Sequence, residues 1–116
     1  MIVGIQGNSE FKDYTVMLRG MAVAMSMISP KDTNFDIYSA GPGNVNDMVS
    51  EFVNLSERGL KSRGKKIKVY KVAPSWISEN INDFNYIAYF TSGNEQTSKL
   101  VDIAKTNNVE VGIFKY

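Results

Sequence analysis

Apolar positions along this chain fall into two rhythms. Short apolar runs alternate with longer stretches in which apolar side chains recur every third or fourth residue. The clearest run is Tyr86-Ile87-Ala88-Tyr89-Phe90-Thr91, which shows little alternation and predicts a strand buried on both faces, as in a parallel sheet. It breaks into the small polar turn Ser92-Gly93-Asn94-Glu95-Gln96-Thr97. The chain then resumes as a helix with Leu100, Val101, Ile103 and Ala104 on one face. Residues 2–6 predict a first strand. A helix over 14 to about 28 follows, with Asp13 as its N-cap. It carries two apolar stripes, Tyr14, Met17, Leu18, Met21, Ala22, Met25 and Ile28 on one side and Val16, Gly20, Val23 and Met27 on another. Ser29-Pro30 ends it, because proline disfavours helical geometry in the residue before it.

Residues 35–39 predict a second strand. Ala40-Gly41-Pro42-Gly43-Asn44 forms a second small-residue turn, and a helix to about 57 follows with Val45, Met48, Val49, Phe52 and Val53 inward. Asn44 or Asn46 would cap it, and Asp47 falls in the first turn, where the helix dipole favours a negative charge. Residues 65–72 predict a third strand, Ala73-Pro74-Ser75-Trp76 a turn, 77–84 a short Asn-rich connector, and 109–114 a fifth strand after the one over 86–91. Strands alternating with helices imply one α/β domain over residues 1–116, a Rossmann-like three-layer sandwich. Its mostly parallel five-stranded sheet has the order 3-2-1-4-5, with helices on both faces. In such sheets a ligand sits beyond the carboxyl ends of the strands, where the strand order reverses. The turns after strands one and four would flank that point, with the turn after strand two beside them. Turns of this kind offer free N–H groups and a helix dipole to an anion.

Composition narrows the chemistry. At 116 residues the chain is long enough to bury roughly 65% of its unfolded surface. It has no Cys, hence no disulfide and no thiol nucleophile, and a cytoplasmic location is expected. It has no His, which removes the commonest general base, the usual zinc ligand and any Ser-His or Cys-His pair. Acid-base work would fall to Asp, Glu, Lys or Tyr. No apolar run approaches a membrane span, no metal or cofactor is expected, and the net charge of +1 gives no global pull toward nucleic acid or lipid.

Three features have two readings each. The doubly apolar helix over 14–28 is covered either by the sheet and a neighbouring helix or by a partner subunit, which would make a homodimer or higher oligomer. The segment 58–71 carries Arg58, Lys61, Arg63, Lys65, Lys66, Lys68 and Lys71 without an acid. It is read first as a solvated loop running into an edge strand guarded by lysines, and second as a nucleic-acid patch. Little aromatic interleaving puts the patch second, so nucleic acid is not the expected partner. Trp76 is either a packing anchor or a platform for a ligand ring.

Several motifs, in order, resemble a known family. Gly7-Asn8-Ser9-Glu10-Phe11-Lys12-Asp13-Tyr14 is similar to the Gly-Ser-Arg-x-Phe-x-Asp-Tyr opening of YspA-like domains, which belong to the SLOG superfamily with the DprA and LOG (Lonely Guy) proteins. The stretch Ala40 to Asp47 resembles that family's Gly-Gly-Ala-x-Gly-x-Asp turn, Val72-Ala73-Pro74-Ser75-Trp76 its Pro-Ala-Asp-Trp, and Ser92 to Thr97 the superfamily's Pro-Gly-Gly-x-Gly-Thr. The family arginine falls on Ser9, two motif glycines fall on Asn94 and Gln96, and the catalytic glutamate of the LOG hydrolases falls on Leu100. The resemblance implies a Rossmann-like fold and a nucleotide-type pocket. Its expected ligand-binding residues are Gly7, Asn8, Ser9, Phe11, Gly41, Pro42, Gly43, Asn44, Asp47, Trp76, Ser92, Gly93, Asn94 and Thr97.

The glycines let backbone approach a ligand, and the Asn, Ser and Thr side chains offer neutral hydrogen-bond groups. Only Lys12 brings a cation near the three turns, so the expected ligand carries one or two charges rather than a polyphosphate. The expected function is a non-catalytic sensor or sequestering module for a small nucleotide derivative. Two alternatives remain. One is a LOG-type hydrolase, with Glu10, Asp47 or Glu95 as acid or base. The other is DprA-like single-strand binding. Asp13 and Asp47 have structural explanations as helix-start residues, and Ser92-x-x-Glu95 fits a capping box.

Overall fold

The computed structural model describes residues 1–93 and 98–116. In chain order these form β1 (Ile2–Gln6), α1 (Tyr14–Ser26), β2 (Asn34–Ser39), α2 (Gly43–Ser62), β3 (Lys66–Lys71), α3 (Pro74–Glu79), a short 3-10 turn (Ile81–Asp83), β4 (Tyr86–Thr91), α4 (Lys99–Thr106) and β5 (Glu110–Lys115). Every strand pair is parallel, and the sheet order is β3-β2-β1-β4-β5, as the alternation of strands and helices predicts.

Side chains alternate across the sheet, so each strand feeds two cores. Val3, Ile5, Phe35, Ile37, Ile67, Tyr86, Ala88 and Phe90 face one side, under α1 and α2. Ile87 and the partly buried Ile2 and Tyr38 face the other, with Ile77 and Phe84 from the α3 region and Leu100 and Ala104 of α4. This is a three-layer sandwich. β4 lies under both layers, and all six of its residues are buried, which explains its unbroken apolar run.

The buried face of α1 consists of Val16, Met17, Gly20, Met21 and Ala24. It lies between the two predicted stripes and takes members from each, because the sheet and α2 meet the helix along a single broad face. Leu18 and Val23 remain exposed at 40% and 37%. Asp13 caps the helix as expected, its carboxylate accepting from the Thr15 N–H at 3.0 Å. The helix ends at Ser26, earlier than predicted. The Met27 and Ile28 amides bond three residues back, to Ala24 and Met25 at 3.1 Å, and tighten the last turn before Pro30 is reached.

The second helix corrects three expectations. It starts at Gly43 behind Pro42, with no side-chain cap, so neither Asn44 nor Asn46 caps it. Asp47 is its fifth residue and lies past the first turn. The helix also runs on to Ser62 because Leu60 supplies a further buried position, so the first part of the basic segment is helical rather than loop. The predicted turn at Trp76 is the first turn of α3. Proline at the first helical position is pre-set for helix and Ala73 precedes it as N-cap. A six-residue helix is too short for periodicity to reveal.

Candidate functional site

The first two predicted turns come together at the carboxyl end of the sheet. The Gly7 N–H donates to the Gly41 carbonyl at 3.2 Å, and the Asn44 amide donates to the Asn8 carbonyl at 3.1 Å and to the Phe11 carbonyl. Gly41 holds φ at +81°, a conformation that glycine adopts without the cost borne by other residues. The Asn8 side-chain oxygen accepts from the Glu10 N–H at 3.1 Å and from the Tyr116 hydroxyl. Tyr116 in turn bonds through its N–H to the Thr91 carbonyl at 3.1 Å, so the end of β5 ties the first turn to the end of β4.

These bonds fasten loops to one another, and they change what several predicted site residues can do. Phe11 is not available to a ligand. It is fully buried, with its ring between Phe90 at 4.7 Å and Tyr116 at 4.8 Å. The Asn44 amide is committed to two carbonyls of the first turn. Ser9, Glu10, Pro42, Gly43 and Asp47 are exposed on the outer side of this fastening. Gly93 lies beside the aliphatic part of Lys115, and Ser92 is half-buried. The ring of Trp76 stacks on Tyr38 at 4.7 Å and meets Phe84 edge-on at 6.3 Å, with 38% of the residue exposed. Asn94, Glu95 and Thr97 lie outside the described residues. Ser92 does not cap α4, whose N-cap is Ser98.

The open space lies on the other side of β1, between α3 and α4. A crevice of about 580 Å³ is lined by Gln6, Pro74, Ser75, Ser78, Glu79, Ser98, Lys99, Leu100 and Ile103. β1 and β4 are neighbours in the sheet, and β1 and β2 lie on the far side of the strand-order reversal from β5. The crevice therefore opens at the point where α/β sheets place ligands. Gln6, the last residue of β1, forms part of the lining, and its side-chain oxygen accepts from the Ser98 hydroxyl at 2.7 Å. The same hydroxyl accepts from the Leu100 N–H at 3.2 Å, so one serine both caps α4 and ties it to β1. Pro74, Leu100 and Ile103 supply apolar surface, the three serines supply hydroxyls, and Lys99 and Glu79 bring one charge of each sign. Hydroxyls and a single cation beside apolar surface suit a small, lightly charged ligand with a planar or apolar part.

Among the described residues, none of those predicted to bind a ligand lines this crevice. In the sequence Ser75 sits next to Trp76 and Ser98 next to Thr97. Which neighbour faces the opening depends on the α3 helix and the exact start of α4, whose local signals are single residues, Pro74 at the first helical position and the Ser98 cap. Among the described residues no cluster of acidic side chains could hold a metal ion. No helix among them is long and apolar enough to cross a membrane. No protein-family model, curated protein or solved structure matches this chain.

Proposed function

We propose that this protein is a small-molecule-binding module that takes a nucleotide-type ligand in the crevice between α3 and α4, without turning it over. The observation that carries the reading is the position of that crevice, at the carboxyl end of β1 and beside the strand-order reversal, with Gln6, Ser75, Ser98 and Lys99 around it. The first turn of α4 adds a favourable dipole for a single phosphate or carboxylate. The resemblance to YspA-like domains of the SLOG superfamily supports the same ligand class.

The case against catalysis is chemical. The position matching the LOG catalytic glutamate is Leu100, which is buried in the wall of the crevice. Glu10 and Asp47 are exposed and do not line it, and Glu79 is the one acid among the described residues that does. Among the described lining residues Glu79 and Lys99 are the titratable groups, and both are exposed, without the burial that tunes an acid-base pair.

Thermal unfolding against a panel of nucleoside monophosphates, cyclic nucleotides, NAD and nucleosides tests the proposal. A ligand present at 100 times its dissociation constant adds about 2.7 kcal/mol, a rise of several degrees for a domain of this size. Lys99→Glu, at an exposed position, removes that rise for the charged members. A panel without any shift, or a hit that is hydrolysed by the purified protein, contradicts the proposal in its binding or its non-catalytic half respectively.

A further inference from the structure

The basic segment takes no part in the crevice, and the structure joins it to aromatic rings that are distant in sequence. Ile67 and Val69 of β3 pack toward α2, so alternation sends Lys66, Lys68 and Tyr70 to the opposite face. There the covering helix, α3, is only six residues long. Lys66 and Lys68 are exposed, and Tyr70 is 39% exposed. Tyr70 lies in register with Tyr38 of β2, and Lys68 with Asp36.

The ring of Tyr38 is covered on both sides. Tyr70 stacks on it at 4.8 Å and 18°, and Trp76 at 4.7 Å and 12°, while Phe84 closes the pile edge-on at 5.5 Å. Three nearly parallel rings thus run from above the sheet interior to its open edge. β3 is the terminal strand, so Tyr70 ends the pile with no strand beyond it. Around the edge, a groove of about 310 Å³ between α2 and β3 is lined by Glu57, Lys61, Lys65, Lys66, Ile67 and Lys68. Lys65 is tied to the Ser29 and Asp32 carbonyls, whereas the other lysines of the groove make no ion pair among the described residues. The facing carboxylates are Glu57 and Asp36.

We propose that this edge binds single-stranded nucleic acid, with an unpaired base stacking on the outer face of Tyr70 as the next ring of the pile and Lys66, Lys68 and Lys61 meeting the backbone phosphates. Stacking on an aromatic side chain tolerates any base, and a lysine-lined edge follows the phosphates; together these are the two elements of sequence-independent single-strand binding. Residues 58–71 hold a single aromatic, Tyr70, and this made the segment look like a plain solvated edge. The fold supplies the other two rings from β2 and α3. This surface is separate from the crevice, and the proposal stands or falls without it.

The test is a titration with a fluorescent single-stranded oligothymidylate, read by anisotropy and by the fluorescence of Trp76, the only tryptophan in the chain. Three lysine–phosphate contacts give a salt slope of about −2, hence roughly a 100-fold loss of affinity for a tenfold rise in salt. Loss of one stacked base by Tyr70→Ala lowers affinity at least about fivefold, and Tyr70→Phe keeps it. Lys66→Gln with Lys68→Gln flattens the salt slope. Lys66 and Lys68 are exposed and Tyr70 is 39% exposed, and the thermal melt of each variant checks that the fold is retained. The proposal is overturned by no saturable binding at low salt, by equal binding of Tyr70→Ala, or by equally tight binding of the duplexed form of the same strand.

Discussion

Gly20 sits where α1 crosses β4, and replacing it isolates the contact that fixes this helix on the sheet. A Cβ built at Gly20 comes within 2.5 Å of Phe90 Cζ and 2.9 Å of Cε1. The Phe90 ring has little room to retreat, since it stacks on Phe11 at 4.7 Å and on Phe114 at 5.4 Å. Alanine in place of a mid-helix glycine gains up to about 1 kcal/mol in backbone entropy. Forcing a methyl into a packed core costs about 1–3 kcal/mol, and the pinned ring puts this site toward the upper end. Gly20→Ala is therefore expected to lose about 1–2 kcal/mol. Gly59, inside α2 and exposed, has nothing within 4 Å of its built Cβ, so Gly59→Ala keeps the gain alone. The two variants share one backbone change and differ in packing. Thermal denaturation should separate them by about 8–12 °C, with wild type between. Gly20→Ala melting as high as Gly59→Ala would refute the close approach of α1 to Phe90.

Other predictions follow from the same geometry. Phe11→Ala, which empties the space between Phe90 and Tyr116, should cost about 3–5 kcal/mol in denaturant unfolding and leave the first turn unanchored. Gly112→Ala places a methyl 1.7 Å from the Tyr86 hydroxyl and 2.8 Å from Phe114, so a clear drop in Tm is expected, and Tyr86→Phe should restore part of it. Ser98→Ala removes both the α4 cap and the bond to Gln6, with an expected loss of about 1–2 kcal/mol. Burial raises the phenol pKa of Tyr86, chiefly by desolvation and further by Glu110, and burial likewise raises those of Tyr14 and Tyr38. A pKa raised on folding means that the native state keeps its proton where the unfolded chain loses it. This stability is complete below pH 10 and is lost as pH rises through the native value. Unfolding free energy should thus fall in alkali, and Tyr86→Phe should shallow that fall.

The strand order was legible because β4 is a nearly unbroken apolar run and β1, β2 and β4 are each followed by a break and a helical stripe. The face of α1 was not. Two stripes of apolar residues allow two orientations, and only the close approach at Gly20 selects the one between them. The site shows the same division. Gly7 and Gly41 were readable as turn residues, and the turns do meet; that the Asn44 amide and the Phe11 ring help to fasten them was not readable. Hydrogen bonds across more than thirty residues, such as that from Asn44 to Asn8, have no local signature. Ser98 and Lys99 fall in no motif and Ser75 is an unassigned position within one, and all three line the crevice because α3 forms and α4 begins at Lys99. Tyr38, Tyr70 and Trp76 each look ordinary alone, and parallel register with the α3 turn makes them one pile.

The most direct test of the crevice as the binding site is an amide chemical-shift titration of the labelled protein with the same nucleotide panel at millimolar concentration. Binding in the crevice gives, for at least one member, saturable shifts concentrated on Gln6, Ser75, Ser78, Ser98 and Lys99. Flat spectra across the panel, or saturable shifts confined to surfaces away from α3 and α4, would contradict it.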